Sequence, residues 1–574
     1  MSKETSFSAQ RPELVEGRRA NRRAWAAFAV VFCLAGFLLM FRLGERSLRN
    51  PDEGRYAEIA REVLQSGDWV KPTLYGVGYL RKPVLFHWLV AASFKALGAS
   101  EFSARLIPAL FGLFGVAAVF FFCLRFFGQE TAIFASAMLA TNFWYLQVAR
   151  YLVIDTVFSF FVVGALFCYY LSYSPGRANA RWFALSCFFL GLAFMTKGFL
   201  AFVLVVAPVA LYLLMTGSLV RELRPRRLLT GAVIFVCVAA PWYWMMEKRE
   251  PGFFFYFLGH ENFQRFVSRE YEHQEPWFYY LVALPLTLLP WSLYLRPFRE
   301  AFFHMRRDER HDPRLFLVTA ALTMLIFFSL SNSKLPTYIV PIIPLLLIVC
   351  AEGWRRWTAQ RPRFGVWETM AVSLAALAGI LTMIGGPWYV MQHAQKFPVS
   401  LTTDLQILGG GLLASAVVCL RTLKRGSTKR LFYTLVFSMA AISILFTPLI
   451  EHMNDAYTTK PFAEHIKKNL TPSDEVFVYD YPGPFYDFAF YLERDVRMVG
   501  LEGEFKHFKN RETESASVSK EQFFNWLRNK KSLYCLIRKS DFQELDPVLR
   551  DGLLILRQDR RKVLFKSGVN GRSL

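Results

Sequence analysis

Apolar runs of about twenty residues, each long enough to cross a bilayer as a helix, recur along the first three-quarters of the chain. The first is Ala24–Phe41, behind the basic cluster Arg18, Arg19, Arg22 and Arg23. The others fall near 105–127, 129–147, 153–173, 182–197, 199–217, 229–246, 277–295, 315–331, 336–352, 366–386, 405–420 and 431–449, about thirteen runs in all. The pattern predicts a polytopic α-helical membrane protein. No internal repeat marks it as a transporter assembled from inverted halves. The stretch Val84–Leu97 (VLFHWLVAASFKAL) is apolar but short, and reads as an interfacial or re-entrant helix.

Beyond residue 450 the pattern changes. VFVYDY, DFAFYL, SLYCLIRK and GLLILRQ read as strands, and FAEHIKKNL and KEQFFNWLRNKK as helices. The expected organisation is a polar tail at 1–23, disordered and cytoplasmic, and a membrane domain at 24–450 whose first external loop is 42–104. A soluble α/β domain follows at 451–574, with no catalytic motif of its own.

Charge decides the orientation. The chain of 574 residues carries a formal net charge of +22, yet 54% of it is hydrophobic. Its basic residues do not form a face on a soluble domain, which excludes a nucleic-acid binder. They sit in short clusters between apolar runs: Arg177/Arg181, Arg221/Arg224/Arg226/Arg227, Arg299/Arg306/Arg307/Arg310, Arg355/Arg356/Arg361/Arg363 and Lys424/Arg425/Lys429/Arg430. If Val84–Leu97 does not cross, all of these loops fall on the cytoplasmic side, as the positive-inside rule requires. The first run then acts as a retained signal-anchor, the N-terminus is cytoplasmic, and the C-terminal domain lies outside. Of the eight cysteines only Cys535 lies outside or away from an apolar run, so no disulfide framework and no CxxC metal pattern is expected.

With this topology, charges converge at the outer face. The segment NPDEGRYAEIAREVLQSGDWVKPTLYGVGYLRKP, residues 50–83, contributes Asp52, Glu53, Arg55, Tyr56, Arg81 and Lys82. Asp155 opens a later span and Lys197 closes another. His260, Glu261 and Arg265 lie in GHENFQRF, and Lys334 and Tyr338 in SNSKLPTYIVP. Ionisable groups kept beside a bilayer mark a functional site by default. Carboxylates mixed with cations at one depth suit group transfer from a lipid phosphate. Cations bind the phosphate and stabilise it as it leaves, and a carboxylate can take a proton from an acceptor. Asp52, Asp155 and Glu53 are the catalytic candidates; the others are candidates for substrate binding. Simpler readings stand beside these: a turn for Asp52-Glu53, a surface ion pair for Arg55, a helix cap for Asp155, interfacial anchors for Lys197 and Lys334, and a loop histidine for His260.

The motif at 50–83, followed by SEFSARLIPALFG, FLGHENFQRF, EPWFYYLVALPLTLLPW and SNSKLPTYIVPIIPLL, resembles the bacterial aminoarabinose transferases of lipid A. It is also similar to the related dolichyl-phosphate-mannose protein mannosyltransferases. The resemblance covers about residues 25–355. It implies a C-type glycosyltransferase fold with about thirteen membrane helices in the bacterial inner membrane, and a periplasmic C-terminal α/β domain. It implies an undecaprenyl-phosphate-linked sugar donor, inversion at the anomeric carbon, a lipid A phosphate or other envelope acceptor, and a monomer among membrane lipids. Lipopolysaccharide modification and polymyxin resistance would be the physiological setting. By motif, Asp52 takes the place of an essential first-loop aspartate, Asp155 that of a second acid, and Lys82 that of a lysine near the donor phosphate. Arg265 and Tyr338 fall in segments that supply further phosphate contacts. Family members often have Glu where Arg81 stands and His where Asn262 stands. If those two bind a metal in relatives, this chain lacks both, so no metal ligand is assigned and a divalent ion stays an open alternative. Transfer to protein or glycan hydroxyls, and a lipid-linked-sugar flippase, are the competing readings.

Overall fold

The computed structural model describes residues 11–173, 179–257, 259, 274–303, 312–360, 364–394, 397–480, 483–500 and 516–568. Nearly every apolar run forms a helix at the expected place. Among the described residues seven helices are long and apolar enough to cross a membrane: Glu101–Phe126, Ile154–Tyr173, Pro225–Arg249, Pro313–Leu330, Val366–Gln392, Leu401–Lys424 and Thr428–Tyr457. An eighth is the pair Gln129–Ala140 and Phe143–Ala149, bent by 60°. The bend has a local cause. The side chain of Asn142 accepts from the Tyr145 amide at 2.8 Å and so starts a new helix, while its amide nitrogen donates to the Thr287 carbonyl at 2.9 Å.

Helices at other expected spans are shorter or less apolar, among them Ala180–Lys197, Leu200–Met215 and Ile342–Ala359. One expectation fails outright. Residues 277–295 form no single helix but split into Tyr279–Thr287, a 3-10 turn Trp291–Leu293 and the start of Leu295–Phe303. Pro285 and Pro290 break the backbone ladder there. At the other end of the chain, residues expected to be disordered are helical from Arg11, continuous with the first apolar run in Arg11–Met40. The helix Ile154–Tyr173 is enclosed on most sides, with 83% of its apolar window buried against 17% for Pro225–Arg249. The span that carries Asp155 is therefore central and the other peripheral.

The first loop is folded. After the helix Asp52–Ser66 come the short strands β1 (Thr73–Leu74) and β2 (Val77–Gly78), an antiparallel hairpin, and then the helix Leu85–Leu97. The C-terminal domain contributes β3 (Val476–Tyr479), β4 (Arg497–Val499), β5 (Ser517–Val518), β6 (Leu533–Arg538), β7 (Leu554–Gln558) and β8 (Lys562–Ser567). They form one six-stranded sheet in the order β5-β4-β3-β6-β8-β7. The first four are parallel, and β8 and β7 are added antiparallel. DFAFYL, expected as a strand, lies instead in the helix Tyr486–Leu492. Nearly all of that helix is buried, and a short run that is apolar on every side has no period to tell strand from helix.

The two parts share a core. Ile59, Leu74, Tyr75, Val77 and Tyr79 from the first loop pack with Phe462, Val476, Phe485, Tyr486 and Leu536 of the C-terminal domain. The approach is close at Gly54, where an added Cβ would stand 2.2 Å from the Asn50 side-chain oxygen and 2.6 Å from the Asp487 backbone nitrogen. Only glycine lets this helix lie on the helix Tyr486–Leu492. We predict that Gly54→Ala destabilises the docked loop by about 1–3 kcal/mol. Thermal unfolding in detergent should show a lowered midpoint, and limited proteolysis should show faster cleavage of the first loop.

Candidate active site

Asp52 is held in place by its neighbours. Glu53 is fully buried, and each of its oxygens accepts three contacts. One oxygen takes Arg105 Nε at 2.8 Å, Arg46 at 3.1 Å and the Leu152 amide at 3.0 Å. The other takes Arg105 at 2.8 Å, Arg46 at 3.2 Å and the Arg49 amide at 2.9 Å. Burial alone would raise the Glu53 pKa, but the guanidiniums of Arg105 and Arg46 outweigh it and hold it at about 2. No lone pair is left for a substrate proton. This corrects the expectation that Glu53 is catalytic: it is the peg that fixes the loop to the membrane helices.

On the other side Asn50 donates to the carbonyls of Pro484 at 2.9 Å and Tyr457 at 3.2 Å, and also to Asp487. Asp487 accepts in turn from Thr458 and Thr459. Between these two anchors Asp52 opens the helix Asp52–Ser66. Its carboxylate is half exposed and ion-paired with Arg55. An acid in the first turn also suits the helix dipole.

Asp155 is the second residue of its helix and is ion-paired with Lys197 at 2.6 Å. The Lys197 ammonium also lies 5.3 Å from the Tyr338 ring and 5.2 Å from Phe158. Tyr56, one turn after Asp52, lies within electrostatic reach of both Asp52 and Asp155. Burial, and then Tyr79, raise its pKa well above the usual phenol value, so it remains a hydrogen-bond donor. The structure thus brings Asp52, Arg55, Tyr56, Asp155, Lys197 and Tyr338 into one region. Arg81 and Lys82 stand half-buried between β2 and the helix Leu85–Leu97.

Lys334 is placed differently from the expectation. It is buried and donates to the backbone carbonyls of Glu275 and Ser331, so it secures its own turn in place of a donor phosphate. His260, Glu261, Asn262 and Arg265 lie outside the described residues. Among the described residues no group of three or more His, Cys, Asp or Glu is arranged to hold a metal ion.

Sequence reasoning missed several members of the region. Arg105 and Arg46 sit where they could pass for interfacial anchors. His87 is buried in an apolar run, against Tyr56 and Tyr79, and among the described residues neither ring nitrogen has a hydrogen-bond partner. The one signal for it was a lone polar residue inside VLFHWLV.

Residues 29–257 match the dolichyl-phosphate-mannose-protein mannosyltransferase family. An undecaprenyl phosphate-alpha-4-amino-4-deoxy-L-arabinose arabinosyl transferase of Pseudomonas fluorescens is 31% identical over 412 residues, 70% of each chain. One from Sodalis glossinidius is 29% identical over 92% of this chain and 94% of its own. The crystal structure of ArnT from Cupriavidus metallidurans bound to undecaprenyl phosphate superposes with a TM-score of 0.82 at 25% identity. That match covers 94% of this chain and 98% of ArnT. Fold and relatives together define a polytopic membrane glycosyltransferase of the C-type fold. Within that class, the chain belongs to the undecaprenyl phosphate-aminoarabinose arabinosyl transferase family.

The Glu53 peg has a measurable signature. Its folded pKa lies below the unfolded value of 4.5, so its contribution to stability is complete above that pH and is lost as pH falls towards about 2. Glu53→Gln leaves Arg46 and Arg105 buried without their counter-charge, and should cost about 3–5 kcal/mol. Thermal midpoints followed from pH 7 downwards should decline more steeply in the wild type than in Glu53→Gln. Parallel curves would show that Glu53 does not hold the loop.

Proposed function

We propose that this protein moves a sugar from an undecaprenyl-phosphate donor to a lipid A phosphate or a similar envelope acceptor, with inversion at the anomeric carbon. The observation that carries the reading is Asp52: a half-exposed carboxylate on a rigidly pegged helix start, in the region of the Asp155–Lys197 pair. The named activity of the relatives and the fold shared with an undecaprenyl-phosphate-bound ArnT support it.

In this reading an acceptor oxygen attacks the anomeric carbon on the face opposite the donor phosphate. The bond from that carbon to the phosphate oxygen breaks, and polyprenyl phosphate leaves with the electron pair. Lys82, Arg55 and Lys197 are the cations assigned to the donor side, where negative charge grows in the transition state. Arg81 and Tyr338 complete that side, and Asp155 keeps Lys197 oriented. A hydroxyl acceptor would give its proton to Asp52. A phosphate acceptor is already ionised near neutral pH, with a second pKa of about 6. Asp52 would then orient the acceptor and stabilise positive charge developing on the sugar. We favour the phosphate acceptor because the arabinosyl transferases match along most of the chain, whereas the mannosyltransferase match, which favours protein acceptors, ends at residue 257. The protein acts as a monomer in the inner membrane, with its N-terminus cytoplasmic and residues 451–574 periplasmic.

Two measurements test this. Asp52→Asn should lower turnover by about 100-fold or more while the protein stays folded and still binds polyprenyl phosphate. Wild-type turnover by that variant would remove Asp52 from the chemistry. For topology, a reporter fused after Arg430 should read cytoplasmic and one at the C-terminus periplasmic. A cytoplasmic C-terminus would place the C-terminal domain on the wrong side for this assignment.

A further inference from the structure

A second region of charge lies on the far side of Asp52. Where the first loop meets the C-terminal domain there is a cavity of about 780 Å³, within the size range of ligand sites. Its wall is basic. Arg49 comes from the first loop, Arg538 and Lys539 from the end of β6, and Arg560, Arg561 and Lys562 from the turn into β8. Among the described residues that line it, Asp52 is the one carboxylate.

The strand pairing that builds the sheet also builds this wall. β6 and β8 are antiparallel neighbours with Arg538 opposite Lys562, and the Lys539 amide donates to the Arg561 carbonyl at 2.8 Å. Two chain segments more than twenty residues apart in sequence thereby present their cations side by side. The guanidiniums of Arg49 and Arg561, one from each part of the molecule, both stand against the ring of Tyr457, at 4.4 and 4.8 Å. Tyr151 fixes Arg49 further, accepting from it at 3.1 Å.

Lys562 is occupied, donating to the carbonyls of Ala456 and Thr458, and Arg560 donates to the Ala394 carbonyl at 3.0 Å. Arg49, Lys539, Arg560 and Arg561 form no ion pair with a carboxylate among the described residues. So many cations close together repel one another. A cavity walled by them is built for an anion, and rigid guanidiniums favour a phosphate.

We propose that this cleft docks the phosphate-bearing headgroup of the acceptor, so that the C-terminal domain, not the membrane helices, reads the acceptor's charge. The inference rests on the transferase reading and supplies its missing half. The donor is held on the membrane side of Asp52 and the acceptor on the other, with Asp52 where the two meet.

The test uses the full chain in detergent micelles. Lys539→Gln/Arg561→Gln removes two cations that no backbone carbonyl holds among the described residues, and Lys539→Arg/Arg561→Lys keeps the charge. Two probes are compared: a bis-phosphorylated diglucosamine lipid in mixed micelles and the same lipid stripped of phosphate. Inorganic phosphate is the competitor. The neutral variant should raise the acceptor KM, and weaken direct binding of the phosphorylated lipid, by about tenfold or more. Its KM for the polyprenyl-phosphate sugar should stay at the wild-type value, and the charge-keeping variant should restore most of the loss. The phosphate-free lipid should bind both proteins equally.

Unchanged binding of the phosphorylated lipid by a folded neutral variant would overturn the proposal. So would a cleft in which only inorganic phosphate, and not the lipid, responds to the substitution. If the wild type transferred sugar to no lipid while phosphorylated-lipid binding still fell in the variant, the cleft would stand and the transferase reading would fall.

Discussion

The structure turns on one buried carboxylate. Glu53 meets Arg105 across 52 residues of chain and draws in Arg46 and two backbone amides. Arg105 is itself fully buried and satisfies the carbonyls of Leu43, Arg46 and Ser47, so the chain leaving the first membrane helix is folded around its guanidinium. A buried ion pair is weak evidence for net stability, because desolvation consumes much of the attraction. It is stronger evidence for a defined position, since a charge withdrawn from water has no other partner to accept it. Here the position so defined is that of the residue just before it, Asp52.

Around that peg the molecule divides its labour. The membrane helices supply the Asp155–Lys197 pair and Tyr338, and the first loop supplies Asp52, Arg55 and Tyr56. The C-terminal sheet covers the loop with an apolar core on one side and a basic wall on the other. A C-terminal domain packed this way forms one wall of the space beside Asp52. The tight fit at Gly54 and the Asn50–Asp487 contacts make its distance from the loop a fixed quantity.

Much of this was legible in the chain. Membrane helices announce themselves through apolar runs, since lipid leaves the backbone few alternatives. The first loop stood out because it keeps carboxylates and cations beside a bilayer. Asp52 and Glu53, however, are equivalent to local reasoning. What separates them is the direction each side chain takes from the helix start, one out and one towards Arg105. DFAFYL was misread because tertiary burial on all sides erases periodicity. The basic wall was invisible for a different reason: Arg538-Lys539 and Arg560-Arg561 are ordinary surface residues until the β6–β8 register sets them together.

The shared core of loop and C-terminal domain has a consequence for biogenesis. Asn50 and its partner Asp487 are 437 residues apart, and nearly the whole membrane domain is made between them. At ribosomal rates of roughly 5–20 residues per second, the loop waits on the order of tens of seconds for its cover. Throughout that interval Ile59, Leu74 and Val77 have no partners from the later chain, and Asp52 lacks the wall on its far side. A nascent or truncated polypeptide therefore lacks the residues that the last strands place against the loop. The fold thereby ties the completed packing of the first loop to completion of synthesis.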